Sequence, residues 1–324
     1  MNSDNAFRSA ARAARHHARA WLDHPGVTAV GVGLRRVGGT ATWQPAAKIF
    51  VAAKLPASEL APSALLPRIV TSPDGSTAVV DVEQLSPITV PPPPGPHAAT
   101  RSLSAFPLRD FMRPAAGGAS VANYLFSAGT MTIGVCDAFG WYALSCNHVL
   151  ALLNRALAGQ PVLQPAPADG GTVATAQLGS LARFVPLDFS PGATNFVDAA
   201  LALVPAGAVL ASVALFGHPI AVAPPSSLYI GQPVWKVGRT TGVTVGTIAA
   251  LNVIVPADYT ALGGPSRALL AEQILTTPMA EFGDSGSILL DGANRAIGML
   301  CGGSSEGAVY NRIDSVLAAL GVAF

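Results

Sequence analysis

Apolar positions recur at helical spacing at the start of the chain. Phe7, Ala10, Ala11, Ala14, Ala18 and Trp21 share one face, and Arg8, Arg12, Arg15, Arg19 and His16 lie mostly elsewhere. The pattern predicts a helix over residues 6–22, ended by His24-Pro25-Gly26. An apolar, β-branched run then predicts a strand over 27–34. Gly38-Gly39 turns the chain into a second strand at 47–53. A short helix or loop at 58–66 and a third strand at 77–83 complete a small α+β unit.

After residue 112 the pattern changes to short apolar runs broken by Gly, Pro or Asp: 129–136, 141–144, 196–204, 234–238, 244–251, 287–290 and 296–301. Many short strands at this spacing predict an all-β barrel or sandwich. Ile313, Val316, Leu317 and Leu320 fall on one face of a terminal helix over 312–320. Between the two regions stands Val90-Pro91-Pro92-Pro93-Pro94-Gly95-Pro96, which reads as a stiff polyproline spacer. The chain thus divides into a small α+β domain (1–88), a Pro-rich linker (89–112) and a strand-rich domain (113–324).

Residues 199–217 carry no charge over about the length of a membrane span. Pro205, Gly207 and Ser212 interrupt them and Asp198 precedes them, so strand, turn and a second apolar segment is the better reading. The expectation is no membrane partner. Lys plus Arg number 19 against 18 Asp plus Glu, so no basic stripe exists to hold a phosphate backbone, and nucleic acid is not an expected partner. Only 11% of residues are charged, which leaves apolar surface for which a homo-oligomer is one outlet. Cys136, Cys146 and Cys301 form no close-spaced pair, which argues against a disulfide framework and a zinc site. With no apolar leader in the Arg-interrupted first 22 residues, the expected compartment is cytoplasmic.

Three strings carry candidate chemistry: Ser145-Cys146-Asn147-His148-Val149-Leu150, Val197-Asp198-Ala199-Ala200-Leu201 and Gly283-Asp284-Ser285-Gly286-Ser287. A serine hydroxyl becomes a nucleophile when an imidazole takes its proton, and the imidazole needs a carboxylate to fix its tautomer. Ser285 sits between glycines that permit a tight turn, though Gly, Asp and Ser also make plain surface turns. The N–H groups of Gly283 and Ser285 could form an oxyanion hole, in which one donor is worth roughly 3–4 kcal/mol. His148 is the best base by elimination: of six histidines, His16, His17, His24 and His97 lie outside the β region and His218 has no motif. His16 and His17 are neighbours on a helix and point apart. Asp198 stands at the mouth of a wholly apolar strand, where a buried carboxylate needs a partner; Asp188, in a loop-like context, is the rival. Gly31-Val32-Gly33 lies inside a strand with no helix after it, so it is not a phosphate loop.

The order His148, Asp198, Ser285 resembles that of the chymotrypsin/trypsin-like serine peptidases. The likeness extends over 113–120, Lys236-Val237-Gly238-Arg239-Thr240-Thr241-Gly242 and Gly283-Asp284-Ser285-Gly286-Ser287. These look like a disulfide-free bacterial branch that is similar to plant narrow-leaf-type proteins and often carries an N-terminal α+β unit. The resemblance implies a mainly β fold: a chymotrypsin-like double β-barrel with a small N-terminal α+β domain. It implies a serine endopeptidase without cofactor or metal, acting on a protein or peptide substrate. His148 and Asp198 would come from the first barrel and Ser285 from the second.

The alternative is a gated or inactive peptidase-fold scaffold or binding subunit of a larger assembly; an esterase or acyltransferase shares the residues but comes with a different fold and order. The substrate pocket would be framed by Met279, Gly302 and Gly303. Met279 stands where trypsin has an aspartate, which favours a small or apolar side chain, unless Glu306 reaches the rim. Cys146 stands where the branch commonly has Asn. Asp284 needs a cation: either an internal one, Lys236 or Arg239, which is favoured, or an N-terminus freed by processing within 101–120. The 236–242 run is expected to pack near the rim of the second barrel.

Overall fold

The structure, a computed structural model, describes residues 3–91 and 107–324. Residues 92–106, most of the expected linker and part of the expected processing region, lie outside the described residues.

The first unit opens with helix α1 (Ser3–Leu22). It presses Ala10, Ala13, Ala14, Ala18 and Trp21 onto strands β1 (Val27–Val37), β2 (Thr40–Val51) and β4 (Thr77–Gln84), with β3 (Ile69–Thr71) at the edge. Four alanines at helical spacing let the helix lie close to the sheet. Between β2 and β4 the 58–66 segment forms two 3₁₀ turns, Ala57–Glu59 and Pro62–Ala64. Strands β2 and β4 run parallel, and the register sets Lys48 beside Asp81. The buried Lys48 Nζ lies 2.6 Å from Asp81 Oδ2 and 2.5 Å from Glu83 Oε1, the pairing that a desolvated ammonium requires.

The first barrel comprises β5 (Ala115–Gly117), β6 (Ser120–Asn123), β7 (Gly129–Thr130), β8 (Gly134–Asp137), β9 (Gly140–Ser145), β10 (Pro161–Leu163), β11 (Gln177–Phe184), β12 (Ala200–Val204) and β13 (Val209–Val213). Seven of these form one sheet in the order β7-β6-β10-β11-β12-β9-β8, and β5 pairs with β13. Short helices α2 (Asn147–Leu150) and α3 (Val173–Ala176) interrupt it. The second barrel comprises β14 (Pro233–Gly238), β15 (Gly242–Asp258), β16 (Arg267–Thr276), β17 (Ile288–Asp291), β18 (Ala296–Gly303) and β19 (Ala308–Arg312). Its order is β14-β17-β18-β19-β16-β15, and pairing of β15 with β14 closes it. Helix α4 (Ile313–Leu320) ends the fold and buries Ile313, Val316, Leu317 and Leu320. The architecture is mainly β: a chymotrypsin-like double barrel with an N-terminal α+β unit.

The first unit is joined edge-on to the second barrel. Strand β1 pairs with the far half of β15, Val30 opposite Ile254 and Val32 opposite Leu251, with a bulge between. This explains Gly31 and Gly33. A Cβ on Gly31 would lie 2.9 Å from Val253 Cγ2, and one on Gly33 3.2 Å from Ala249 O. Beyond β4 the chain runs extended across the second barrel. Ile88 O accepts from Asp258 N (2.9 Å), Val90 N donates to Asp258 O (2.8 Å), and Thr89 exchanges two 3.0 Å bonds with Gly303.

Several strand boundaries depart from the sequence pattern, three of them for reasons the hydrogen bonds show. The 129–136 run splits because Thr132 turns out of the strand: its N–H bonds Leu144 O and its hydroxyl bonds Gly286 O. The 196–204 run becomes a strand only at Ala200, because Asn195 N is drawn to Leu269 O and Asp198 N to Asn311 Oδ1. Strand β15 runs seven residues past the expected end at Leu251, since its far half has β1 and β16 to pair with. The uncharged 199–217 stretch holds β12 and β13, and among the described residues no helix is long and apolar enough to cross a membrane.

Candidate active site

Strand β9 delivers its last residues to the seam between the barrels, and α2 begins at Asn147. This turns His148 toward the start of β12. His148 Nδ1 lies 2.6 Å from Asp198 Oδ2, and the His148 backbone N–H donates to Asp198 Oδ1 at 3.1 Å. A third donor, the Tyr259 hydroxyl, reaches Asp198 Oδ2 at 2.9 Å. All three residues are buried. The rival Asp188 is exposed and accepts from Ser190 N in its own loop. Exposed His218 bonds Ala211 O, and His17 stacks on Trp21.

Tyr259 comes from the turn between β15 and β16 and carries no motif. Only the return of that hairpin over the first barrel brings it to Asp198. Its ring also packs edge-on against His148 (6.2 Å between centroids) and Phe189 (5.6 Å). Burial, then the Asp198 carboxylate, raises the Tyr259 pKa well above the ordinary phenol range. The hydroxyl therefore stays a donor.

Ser285 sits on the turn between β16 and β17, held against the first barrel. Thr130 N donates to Ser285 O at 2.8 Å, and the Thr130 hydroxyl donates to Gly283 O at 2.8 Å. Leu300 O takes both Gly286 N (2.8 Å) and Cys146 Sγ (3.1 Å), so the serine turn and the chain entering α2 share an acceptor. Gly286 has φ +97°, and a Cβ there would lie 2.1 Å from Thr130 O and 2.4 Å from Ser145 Oγ. Only glycine fits. Two buried side-chain atoms at this seam, His148 Nε2 and Ser285 Oγ, have no hydrogen-bond partner. Among the described residues the N–H groups of Gly283 and Ser285 donate to no acceptor either. Buried polar atoms are rarely left unpaired, and catalytic hydrogen bonds often tighten only with substrate in place.

Asp284 is held from within. Lys236 Nζ lies 3.1 Å from Asp284 Oδ2, with both side chains fully buried. Thr241 Oγ1 accepts from Lys236 (2.6 Å) and donates to Asp284 (2.7 Å). Thr240 N and Glu281 N also donate to the carboxylate, at 2.9 and 3.0 Å. Burial pushes the Asp284 pKa up, but Lys236, the Thr241 hydroxyl and the two N–H groups outweigh it and hold it below the usual carboxylate range. Arg239, the other internal candidate, pairs instead with Asp169. The 236–242 run thus braces the serine turn through Asp284.

Of the residues expected to frame a pocket, Met279 is buried with Ala280, Leu289 and Leu300 in the second barrel's core. Gly302 lies under the 88–90 segment: a Cβ there would be 2.8 Å from Thr89 O and 3.0 Å from Val90 Cγ2. Glu306 reaches neither Met279 nor Ser285; it accepts from Ser86 N at 3.0 Å and Ser86 Oγ at 3.1 Å. The one cluster of metal-ligand types among the described residues is Cys146, His148 and Asp198, with ligand atoms within 4.8 Å of one another. Its donors are already engaged: Nδ1 with the carboxylate, and the thiol with Leu300 O. Burial and then the Asp198 charge raise the Cys146 pKa well above the ordinary thiol range, so the thiolate a metal would require is disfavoured.

Residues 13–83 match the family described as the narrow leaf 1 N-terminal domain. Comparison with curated protein sequences gives no match. Similar solved structures are serine proteases. Protease A of Thermobifida fusca is 20% identical, covering 64% of this chain and 96% of its own, with a TM-score of 0.46. A chymotrypsin of Cellulomonas bogoriensis is 24% identical over 64% of this chain and 96% of its own, TM-score 0.43. A glutamic acid specific serine protease, described as using a histidine triad in substrate binding, is 22% identical over 64% of this chain and 97% of its own, TM-score 0.45.

Proposed function

We propose that the chain is a serine endopeptidase. The observation that carries this is the 2.6 Å bond from His148 Nδ1 to Asp198, which leaves Nε2 as the ring's only basic atom, at a seam where a buried, unpartnered serine hydroxyl also sits. Ser285 Oγ attacks the scissile carbonyl carbon and its proton passes to His148 Nε2. Asp198 stabilises the imidazolium, and the N–H groups of Gly283 and Ser285 receive the oxyanion. His148 then returns the proton to the leaving amine. Water repeats the sequence on the acyl-enzyme and frees Ser285.

A small fluorophosphonate probe tests this directly. It is expected to label Ser285 in the folded chain, with labelling lost in His148→Ala and reduced on the order of 10⁴-fold in Asp198→Asn. Peptide mapping that finds no adduct on Ser285 refutes the proposal. A second reading, a gated or idle peptidase-fold subunit, is favoured by the burial of His148 and Ser285, each 1% exposed. Labelling without turnover of any polypeptide would support it.

A further inference from the structure

Beside the serine turn, the outer edge of β18 is left unpaired by the barrel's own strands. Strand β17 pairs with β18 only as far as Ile288 opposite Met299, because the chain before Ile288 leaves the sheet to form that turn. Beyond it, Leu300 N and O bond Ser287 O and Gly286 N. The next residues, Cys301, Gly302 and Gly303, have β19 on one side and no barrel strand on the other. Gly303 stands about 10 Å along the strand from Leu300. A free edge that leads to a nucleophile is where an extended polypeptide docks, through backbone bonds and a few side-chain contacts.

That edge is taken by the chain itself. Thr89 N donates to Gly303 O and Gly303 N donates to Thr89 O, both at 3.0 Å, in antiparallel sense. Ile88 and Val90 are fully buried and flank Gly302, whose missing side chain is what lets them approach. Asp258 holds the segment from its other side, and Glu306, on the turn after β18, grips Ser86.

We propose that Ser86–Val90 occupies the docking edge for substrate, so that the chain as folded is self-occluded and an extended polypeptide must displace this segment. The proposal rests on the peptidase reading above for its consequence, but not for its test. Two variants of the full chain loosen the segment without touching the catalytic groups: Glu306→Ala frees Ser86, and Thr89→Pro removes the bond to Gly303 O. Two measurements follow. The first is the ratio of Ser285 labelling rates for a tripeptidyl phosphonate, which needs the edge, and a small fluorophosphonate, which does not. The second, on Ser285→Ala chains, is calorimetric binding of an acetylated synthetic Ser-Pro-Ile-Thr-Val-Pro, a copy of residues 86–91.

The ratio is expected to rise at least tenfold, and the copy to bind the loosened chains at least tenfold more tightly than their parent. If neither probe labels any protein, the peptidase reading falls and the binding measurement alone decides occlusion. Equal binding to parent and loosened chains, no binding to either, or an unchanged ratio in variants that melt like the parent overturns the proposal. Glu306→Ala, at a part-exposed site, keeps the test decisive if Thr89→Pro fails to fold.

Discussion

Replacing Lys236 by Met would remove the only cation paired with Asp284 among the described residues and leave a buried carboxylate without its counter-charge. Methionine nearly matches the lysine stem in volume, so the perturbation is chiefly electrical. Breaking one side of a fully buried pair costs about 3–5 kcal/mol. Unfolding entropy of about 2.1 cal/mol/K per residue gives about 0.7 kcal/mol/K for this chain, so Tm should fall by about 4–7 °C at pH 7. The deficit should depend on pH. In the parent the Asp284 pKa in the folded state lies below its unfolded value. Its contribution is therefore complete above the unfolded pKa and is lost as pH falls through the folded one. Without Lys236 the folded pKa moves up, because the largest influence opposing burial is gone. The gap between the melting temperatures should thus be widest at neutral pH and shrink progressively as pH falls toward about 4. Scanning calorimetry at pH 7, 5.5 and 4 measures this, and adding Asp284→Asn should recover at least half the loss. A variant melting within about 1 °C of the parent at pH 7 would refute the reasoning, because a cation supplied from elsewhere, such as a freed N-terminus, would then be holding Asp284.

Tyr259→Phe keeps the buried ring but removes the hydroxyl from Asp198. A hydrogen bond to a charged group is worth about 1.5–3 kcal/mol, so Ser285 labelling should slow by roughly 10- to 150-fold. An unchanged rate would mean that Tyr259 does not help position Asp198. Gly286→Ala meets both a positive φ and Thr130 O, and should cost about 2–5 kcal/mol by urea unfolding; a cost below 1 kcal/mol would contradict the turn described here. Among the three thiols, only Cys136 is part-exposed while Cys146 and Cys301 are buried. Ellman's reagent should therefore find one fast thiol in the folded chain and three in denaturant, and fast reaction at Cys146 would contradict its packing against Leu300.

Local pattern made much of this legible. The alanine face of α1, the glycine-framed serine and an aspartate ahead of an apolar strand are each written within a few residues. The internal cation for Asp284 was reachable too, since Lys236 lies in a short motif and a buried carboxylate must have a partner. Its distinction from Arg239 was not, because that depends on Asp169 claiming the guanidinium from another barrel. Tyr259 was invisible for the same reason: its role exists only once a long hairpin folds back over a site some 60 residues earlier in the chain. Lys48 gives no local signal because its two carboxylates arrive through a parallel pairing, whose register short-range pattern does not encode. The two-residue spacing of Ile88 and Val90 is a signal for a buried extended segment, hidden by the prolines on either side of it.

The union of β1 with β15 bears on how this molecule can be taken apart. Removing the chain up to the polyproline run would not leave a self-sufficient double barrel. It would strip a neighbour from β15, bare the margin of β18, and pull Phe50, Leu85, Ile88 and Val90 out of the main core. Two raw margins and a fresh oily scar favour clumping over a stable fold, so the amino-terminal third is better regarded as a wall of the double barrel than as a detachable appendage.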